Sequence, residues 1–248
     1  MEIIVHGATG RMGRNLLKLI EESAVHALAA AVSPELETCP EQRAYNRLAE
    51  YAGPADLIID FSYHAAVGTL LDYALSRRLP VVIGTTGHTP AEKAHIDKAA
   101  REIPVFLSGN MSVGIALLVQ LARQTAKAFP EANVEIVEIH HNQKLDVPSG
   151  TALMLADGIK SVRPQATYNI GRPENGKRTQ DEIGIHSLRM GNVVGTHEVL
   201  VNTGTQTITL KHEAHDRMLF AEGAMTAAAY LAGKPAGLYN METMLKER

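Results

Sequence analysis

A glycine-rich turn near the N-terminus constrains the fold more than any other feature of the sequence. Gly7, Gly10 and Gly13 have the spacing G-x-x-G-x-x-G, after a strand-like run at 3–5 and before a helix-like stretch at 14–22. In a strand–turn–helix unit, such glycines let the backbone approach a pyrophosphate, and the helix N-terminus supplies N–H groups. The spacing alone also occurs in ordinary βα turns, but its position here favours nucleotide binding.

The first half of the chain alternates short β-rich runs with Ala-, Leu-, Lys- and Glu-rich segments of helical length. The runs are residues 3–5, 28–32, 57–61, 80–84 and 105–107. This alternation predicts a parallel sheet flanked by helices, and hence a Rossmann-like α/β fold. Residues 33–54 have no clean period and contain several prolines, so we expect a loop or short helix between the second and third strands.

The pattern changes after a predicted helix at 112–129. Strand-like runs at 134–141, 183–188, 198–202 and 205–211 predict an antiparallel-rich second domain of α+β type. An Ala-rich helix is predicted at 218–231, before Gly233. We therefore predict a dinucleotide-binding domain at 1–111 plus 218–248 and a substrate-binding and oligomerisation domain at 112–217, with hinges near Ser112 and Arg217. Proline, glycine and charges at 171–181 indicate a mobile loop.

Composition limits the partners. The net charge of -3 and the absence of a basic field argue against nucleic acid. Cys39 is the single cysteine, so no intrachain disulfide can form, and a reducing cytoplasm fits best. The sequence opens without a basic and apolar leader, and no apolar run approaches the roughly 20 residues that cross a bilayer. We expect a cytoplasmic protein without a membrane partner.

Other strand ends carry groups suited to a nicotinamide nucleotide. NAD enzymes usually place an acidic residue about 20 residues beyond the glycine turn, where this chain has Ser33-Pro34. The choice between NADH and NADPH therefore stays open, and Arg11 could approach a 2′-phosphate. Loops at 84–87 and 108–112 follow later strands and would share the same sheet edge. Either loop alone is more often ordinary βα turn chemistry.

The segment 138–152 concentrates groups that could perform acid catalysis. His140, His141 and Lys144 are proton donors at a strand end. Gly150 and Thr151 open a helical stretch, and their backbone N–H groups form a natural carboxylate seat. The alternatives are a packed or solvated histidine, a surface lysine and a plain helix cap. A zinc site would need further ligands, so we predict no metal.

The same segment carries a family resemblance. The string E-I-H-H-x-x-K-x-D-x-P-S-G-T-A at 138–152 resembles the signature of the dihydrodipicolinate reductases. Other landmarks follow in family order along the whole chain: G-x-x-G-R-M-G at 7–13, G-T-T-G at 84–87, N-x-S-V-G at 110–114, R-M-x-F-A-x-G-A at 217–224 and G-L-Y-N-M at 237–241. The central signature is long and specific, unlike the glycine turn.

The resemblance implies a role for each matching residue. His140 would be the proton donor or acceptor, and Lys144 a second acid that steadies negative charge. The substrate, a cyclic dicarboxylate, would contact His141, Gly150, Thr151 and Arg217. The cofactor, NADH or NADPH, would contact Gly7, Ala8, Thr9, Gly10, Arg11, Met12, Gly84, Thr85, Thr86, Ser108, Gly109, Asn110 and Met111. The family is typically a homotetramer built through the middle-domain sheet, with which apolar strand faces at 199–201 are compatible.

The resemblance further implies NAD(P)H-dependent reduction of 4-hydroxy-tetrahydrodipicolinate to tetrahydrodipicolinate, in lysine and diaminopimelate biosynthesis. Two other functions remain to be weighed. A short-chain dehydrogenase or epimerase would share the glycine turn, and its Y-x-x-x-K occurs in letters at Tyr230 to Lys234, though at a helix end where coincidence is the better explanation. A noncatalytic nucleotide-binding protein would not need paired acids beside a carboxylate seat.

Overall fold

The computed structural model describes residues 1–247, and the chain divides into two compact units. The first unit comprises Met1–Ser112 and the C-terminal segment from Met218, and the second comprises Val113–Arg217. The elements run in the order β1 (Glu2–His6), α1 (Arg11–Glu21), β2 (Ala27–Val32), β3 (Ala44–Tyr45), β4 (Leu57–Asp60), α2 (Val67–Arg77), β5 (Val81–Ile83), α3 (Pro90–Ala99), β6 (Pro104–Leu107), α4 (Val113–Ala128), β7 (Asn133–His140), α5 (Gly150–Lys160), β8 (Thr167–Ile170), β9 (Glu182–Arg189), β10 (Gly195–Asn202), β11 (Thr207–Ala214), α6 (Met218–Leu231), β12 (Gly237–Tyr239) and α7 (Met241–Lys246).

The first unit contains a seven-stranded sheet in the order β12-β6-β5-β4-β1-β2-β3. Every pair in it is parallel. The central strands β4 and β5 are buried along their whole length, which explains their continuous apolar sequence. The predicted Rossmann-like fold is confirmed. β12 is an additional edge strand that the sequence analysis missed, because it is only three residues long and lies next to glycine and proline.

Residues 33–54 contain more structure than a loop. Two short 3-10 helices, Pro40–Gln42 and Leu48–Glu50, flank the two-residue strand β3. β3 pairs with the end of β2 through Ala31 and Val32. The expected short helix is present, but so brief a strand leaves no periodic signal in the sequence.

The second unit contains a mixed five-stranded sheet in the order β11-β10-β7-β9-β8. β10 is antiparallel to β11 and β7, whereas β9 is parallel to both β7 and β8. The predicted antiparallel-rich sheet is therefore wrong for half of the strand pairs. The parallel pairs arise because the chain crosses over through α5 and then adds β8, a half-exposed edge strand without alternation.

Helices α4 and α5 share one apolar core with the second sheet. Val199 and Val201 of β10 are fully buried in that core, and Leu200 between them has the opposite orientation. Of the run at 199–201, whose apolar faces are compatible with the expected tetramer, only Leu200 lies on the side of the sheet opposite the helices. Leu200 shares its side of the sheet with Val137, Ile139 and Leu188 through the strand register.

Arginine side chains fasten the loop at 171–181 to the second sheet. Arg178 donates through Nη2 to the backbone oxygen of Val134 at 2.8 Å. Arg172 and Arg178 both pair with the carboxylate of Glu135, at 3.3 and 3.2 Å. Among the described residues, no helix combines the length and the apolar character that crossing a bilayer requires.

Candidate active site

The glycine turn of the first unit has no room for side chains. Gly7 has a φ of +83°, and a Cβ on it would lie 2.6 Å from the backbone oxygen of Phe61. A Cβ on Gly13 would lie 2.2 Å from the oxygen of Gly7. Gly10 is the N-cap of α1 and has no side chain, so no side-chain hydrogen bond caps the first N–H groups of the helix. This geometry fits a pyrophosphate.

A carboxylate that the sequence analysis missed lies beside the turn. Glu35 Oε2 accepts hydrogen bonds from Thr9 Oγ1 at 2.8 Å and from Ser33 Oγ. Both bonds lower the pKa of Glu35. With Ser33 at its end, β2 was expected to lack an acid. The acid instead follows two residues later, at Glu35. An acidic residue shortly after the second strand was the available signal.

A second buried carboxylate lies at the carboxyl ends of the central strands. Asp60 accepts hydrogen bonds from His6 Nδ1 at 2.8 Å and from Thr85 Oγ1 at 2.7 Å. Burial would raise the pKa of Asp60, but the bonds from His6, Ser62 and Thr85 outweigh it and lower the pKa. This network fixes the loop at 84–87. The sequence analysis named Thr85 but missed His6 and Asp60, although both are polar ends of apolar strands.

The loop at 108–112 is ordered by its own side chains. Ser108 Oγ donates to the oxygen of Asn110 at 2.6 Å, and Asn110 Oδ1 accepts from the N–H of Ser112 at 2.8 Å. A Cβ on Gly109 would lie 3.7 Å from Thr86 Cγ2, so the two predicted loops are neighbours. The glycine turn and these loops follow parallel strands and therefore share one sheet edge.

In the second unit, the alternation of β7 turns His140 and Glu138 toward the helices. His140 Nδ1 lies 2.5 Å from Glu138 Oε2. Arg189 donates to both oxygens of the same carboxylate, at 2.8 and 2.9 Å. Burial would raise the pKa of Glu138, which is 0% exposed, but the bonds from His140 and Arg189 hold it below its ordinary value.

A second histidine packs on His140. The rings of His197 and His140 meet edge to face with centroids 5.1 Å apart. His197 Nε2 lies 3.2 Å from Ser149 Oγ, which also caps α5 by accepting from the N–H of Ala152. Burial, followed by the charge of His140, lowers the pKa of His197 to about 3. His197 is therefore neutral at physiological pH, and the sequence analysis missed it.

The predicted carboxylate seat already holds a carboxylate of the chain itself. Lys144 Nζ lies 2.8 Å from Asp146 Oδ1. Burial would raise the pKa of Asp146, but the ammonium of Lys144 and the backbone N–H of Gly150 lower it. The lysine and the helix start that were predicted to bind a substrate carboxylate thus lie close to the carboxylate of Asp146.

His141 and Arg217 form a second cationic corner of the second unit, in which Arg217 carries the positive charge. Arg217 Nη2 donates to His141 Nε2 at 3.2 Å. The structure thus brings Lys144 together with Asp146, and His141 together with Arg217, and places Gly150 and Thr151 in the first turn of α5. Among residues 1–247, no group of three or more His, Cys, Asp or Glu side chains has the arrangement to hold a metal ion.

Comparisons with known proteins cover nearly the whole chain. Residues 1–111 match the family model of the dihydrodipicolinate reductase N-terminus, and residues 114–245 match that of its C-terminus. The chain is 42% identical to 4-hydroxy-tetrahydrodipicolinate reductase of Caldanaerobacter subterraneus, covering 100% of this chain and 99% of that protein. It is 37% identical to the enzyme of that name from Clostridium tetani, covering 99% and 97%.

A solved structure has the same fold. Dipicolinate-bound dihydrodipicolinate reductase from Paenisporosarcina sp. TG-14 superposes with a TM-score of 0.81 at 24% identity, covering 97% of each chain.

The depressed pKa of His197 predicts a pH dependence of stability. Between pH 6.5 and about 3, His197 is protonated in the unfolded chain but neutral in the folded chain. The contribution of His197 to the free energy of unfolding therefore has its full value above pH 6.5. It falls on acidification by at most about 1.4 kcal/mol per pH unit. We expect His197→Gln to flatten this slope in urea unfolding between pH 4.5 and 6.5. The exposed His215→Gln should keep it, and an equal slope in both variants would contradict the assignment.

Proposed function

Because this chain belongs to the dihydrodipicolinate reductase family and is therefore an oxidoreductase, we propose that it reduces 4-hydroxy-tetrahydrodipicolinate to tetrahydrodipicolinate with NADH or NADPH. The reaction consumes the substrate, one reduced nicotinamide and one proton, and releases tetrahydrodipicolinate, the oxidised nicotinamide and water. We assign it to lysine and diaminopimelate biosynthesis in the cytoplasm.

The carboxylate of Asp146 held by Lys144, four residues before the start of α5, is the observation that carries this proposal. A cyclic dicarboxylate needs cationic groups and N–H donors for its two carboxylates. Lys144 with the start of α5, at Gly150 and Thr151, would take one carboxylate in place of Asp146. The cationic corner of His141 and Arg217 would contribute to the other. The dipicolinate bound to the Paenisporosarcina reductase is a dicarboxylate of this class.

His140 is the residue proposed to exchange the proton. Its Nδ1 is engaged by Glu138, so its Nε2 is the nitrogen left to exchange a proton with the substrate. Lys144 would steady the negative charge that develops nearby. His141 lies just beyond the last residue of β7, so strand alternation does not fix its direction, and its ring contacts Arg217.

The cofactor would lie along the sheet edge of the first unit. The N–H groups of Arg11 and Met12 would bind the pyrophosphate, next to the backbone of Gly7, Ala8, Thr9 and Gly10. The loops from Gly84 to Thr86 and from Ser108 to Met111 would orient the nicotinamide. The bound reduced nicotinamide supplies the hydride. The absence of Cβ atoms at Gly7 and Gly13, where none would fit, supports this assignment.

Glu35 favours NADH over NADPH in our proposal. An acid beside the second strand accepts hydrogen bonds from the adenosine ribose and repels a 2′-phosphate. Glu35 accepts hydrogen bonds from Thr9 and from Ser33 at the end of β2, which is where such an acid would meet the ribose.

The two alternative functions are less well supported. Lys234 Nζ lies 4.4 Å from the ring centroid of Tyr230, over its face, and also pairs with Glu247. In the Tyr–Lys pair of a short-chain dehydrogenase, by contrast, the lysine acts on the tyrosine hydroxyl rather than lying over the ring. A noncatalytic nucleotide-binding protein would have no use for the His140–Glu138 pair.

We further propose that the enzyme is a homotetramer assembled through the sheet of the second unit. The side of that sheet opposite the helices carries Val137, Ile139, Leu188 and Leu200, and Leu188 is 43% exposed. In the strand register Leu200 lies opposite Glu135 and Val137 lies opposite Glu198, so the apolar residues alternate with the ion pairs of Lys211 with Glu198 and of Arg172 with Glu135. Subunit interfaces commonly combine apolar residues with polar and charged groups.

We expect His140→Gln to lower kcat about 10²- to 10⁴-fold while changing KM little, because the variant loses the acid and keeps the carboxylate seat. The measurement follows loss of the reduced nicotinamide with enzymatically generated 4-hydroxy-tetrahydrodipicolinate. His95→Gln in the first unit is the matched control and should retain activity. Unchanged turnover in His140→Gln would sink the assignment. Nicotinamide binding without substrate-dependent oxidation in the unaltered protein would favour a noncatalytic function.

Removing the charge of Glu35 should weaken the preference for NADH. We expect Glu35→Gln to lower the ratio of kcat/KM for NADH to that for NADPH by about tenfold. The nearby exposed Glu37→Gln keeps the ratio. A preference for NADPH in the unaltered enzyme would refute this assignment.

A further charge in the proposed interface should dissociate the tetramer. We expect Leu200→Lys to sediment as smaller species at concentrations where the unaltered enzyme is tetrameric, since the lysine would be desolvated in the subunit contact beside the ion pair that Glu135 already makes. Leu238→Lys, at a 44% exposed leucine of the first unit, is the matched control and should remain tetrameric. A monomeric unaltered enzyme would be inconsistent with the proposal.

A further inference from the structure

We propose that Glu138 is a positioning residue of the reaction: its carboxylate fixes the proton of His140 on Nδ1 and ties the His140 ring to the start of the carboxylate-binding helix. This inference rests on the proposed function, because it assigns the device that prepares His140 for its role.

The two oxygens of Glu138 have different partners on the active-site side. Oε2 lies 2.5 Å from His140 Nδ1, and Oε1 accepts from the backbone N–H of Ser149 at 3.2 Å. Ser149 is the N-cap of α5, immediately before Gly150. One carboxylate therefore sets the separation between the proton-exchanging ring and the seat for the substrate carboxylate.

Arg189 holds Glu138 in its ionised form. Its Nη1 and Nη2 donate to Oε2 and Oε1 in a bidentate pair, the geometry that a guanidinium best provides. A carboxylate with 0% exposure would otherwise carry a large desolvation penalty. Because the ionised carboxylate can only accept hydrogen bonds, His140 Nδ1 must be the donor.

This requirement leaves Nε2 of His140 as the nitrogen that can exchange a proton with the substrate. A Cβ on Gly195 would lie 3.1 Å from Nε2, so the glycine keeps the space beside this nitrogen clear. A histidine with a fixed Nδ1–H and an accessible Nε2 is the arrangement by which an aspartate orients the base in serine proteases. There the exchange of aspartate for asparagine reverses the tautomer and costs about 10⁴ in kcat.

Other groups face the pair without replacing Glu138. Arg189 comes from β9, and His197 and His212 come from neighbouring positions of β10 and β11. His197 packs on the His140 ring as a neutral imidazole, and Lys144 lies close enough to lower the pKa of His197 further. Among these charged and titratable groups, only Glu138 is an anion that can accept the Nδ1 proton.

Glu138→Gln tests the inference because a carboxamide cannot satisfy four donors. If its NH2 group faces His140, the ring must turn its lone pair to Nδ1 and carry its proton on Nε2. Nitrogen-15 spectra of histidine-labelled protein read this directly, with the His140 signal assigned by its loss in His140→Gln. We expect neutral His140 to be the Nδ1–H form in the unaltered protein and the Nε2–H form in Glu138→Gln. An Nε2–H form in the unaltered protein overturns the inference, whether or not the enzyme turns over the substrate.

Kinetics give a second, separable readout. We expect Glu138→Gln to lower kcat about 10²- to 10⁴-fold with KM for the dicarboxylate changed less than about threefold, and to displace the pH profile of kcat/KM. Glu138→Asp, which keeps the charge, should recover part of the loss and also serves if the glutamine variant folds poorly. An unaltered enzyme without turnover refutes the proposed function, whereas full turnover in Glu138→Gln refutes only the positioning role.

Glu182→Gln is the matched control. Glu182 is 8% exposed and pairs with Arg172 in the same sheet, without a histidine on its carboxylate. It should lose stability to a similar extent and keep both kcat and its pH profile. Equal kinetic losses in Glu182→Gln and Glu138→Gln would reduce Glu138 to a structural ion pair and overturn the proposal.

Discussion

The second unit depends on a charge buried where a strand would normally place an apolar residue. Glu138 follows Val134 and Ile136 on the helix-facing side of β7 and is as inaccessible as they are. Such burial is tolerated only when each oxygen of the ion has hydrogen-bond donors. Arg189, His140 and the start of α5 supply them, so β7, β9 and the helix must keep fixed positions around this group. The ion thereby imposes on the site a geometry that apolar packing would leave adjustable.

The first unit uses the same solution at its own sheet. Asp60 ends β4 in a buried position and engages Nδ1 of His6 from the neighbouring strand β1. It also accepts from Thr85 in the loop after β5. In both units a carboxylate near a strand end joins a histidine to a loop or a helix start for which ligand binding is proposed. Polar groups at strand ends need a hydrogen-bond partner in a fixed position. A buried carboxylate holds them more strongly than a neutral acceptor does, because charge-assisted hydrogen bonds are shorter and stronger.

The sequence predicted most reliably those features that repeat along the chain. The buried parallel strands and the helix at Met218–Leu231 follow from local apolar patterns, and the family follows from the 138–152 signature. The direction of β9 could not be predicted, since parallel and antiparallel strands share one alternating pattern. Glu138 and His197 were missed because their partners Arg189 and Ser149 lie far away in the sequence. A spacing rule that expects the acid at Ser33 fails when the turn after β2 delivers it from two residues beyond.

The contact between Asp146 and Lys144 differs in energetic character from the Glu138 pair. The Asp146 side chain is 57% exposed, and water competes for both partners, so the pair adds little to stability. A bound dicarboxylate could therefore replace Asp146 at small cost, whereas displacing Glu138 would strand Arg189 and His140 in the interior. In the proposed reaction, the weak pair with Asp146 would keep Lys144 oriented toward a carboxylate before the substrate arrives. The buried hydrogen bonds of Glu138 would hold the His140 ring in place when Asp146 leaves. Asp146 is thus the exposed carboxylate that a substrate could displace, whereas Glu138 is the buried carboxylate that would keep its position.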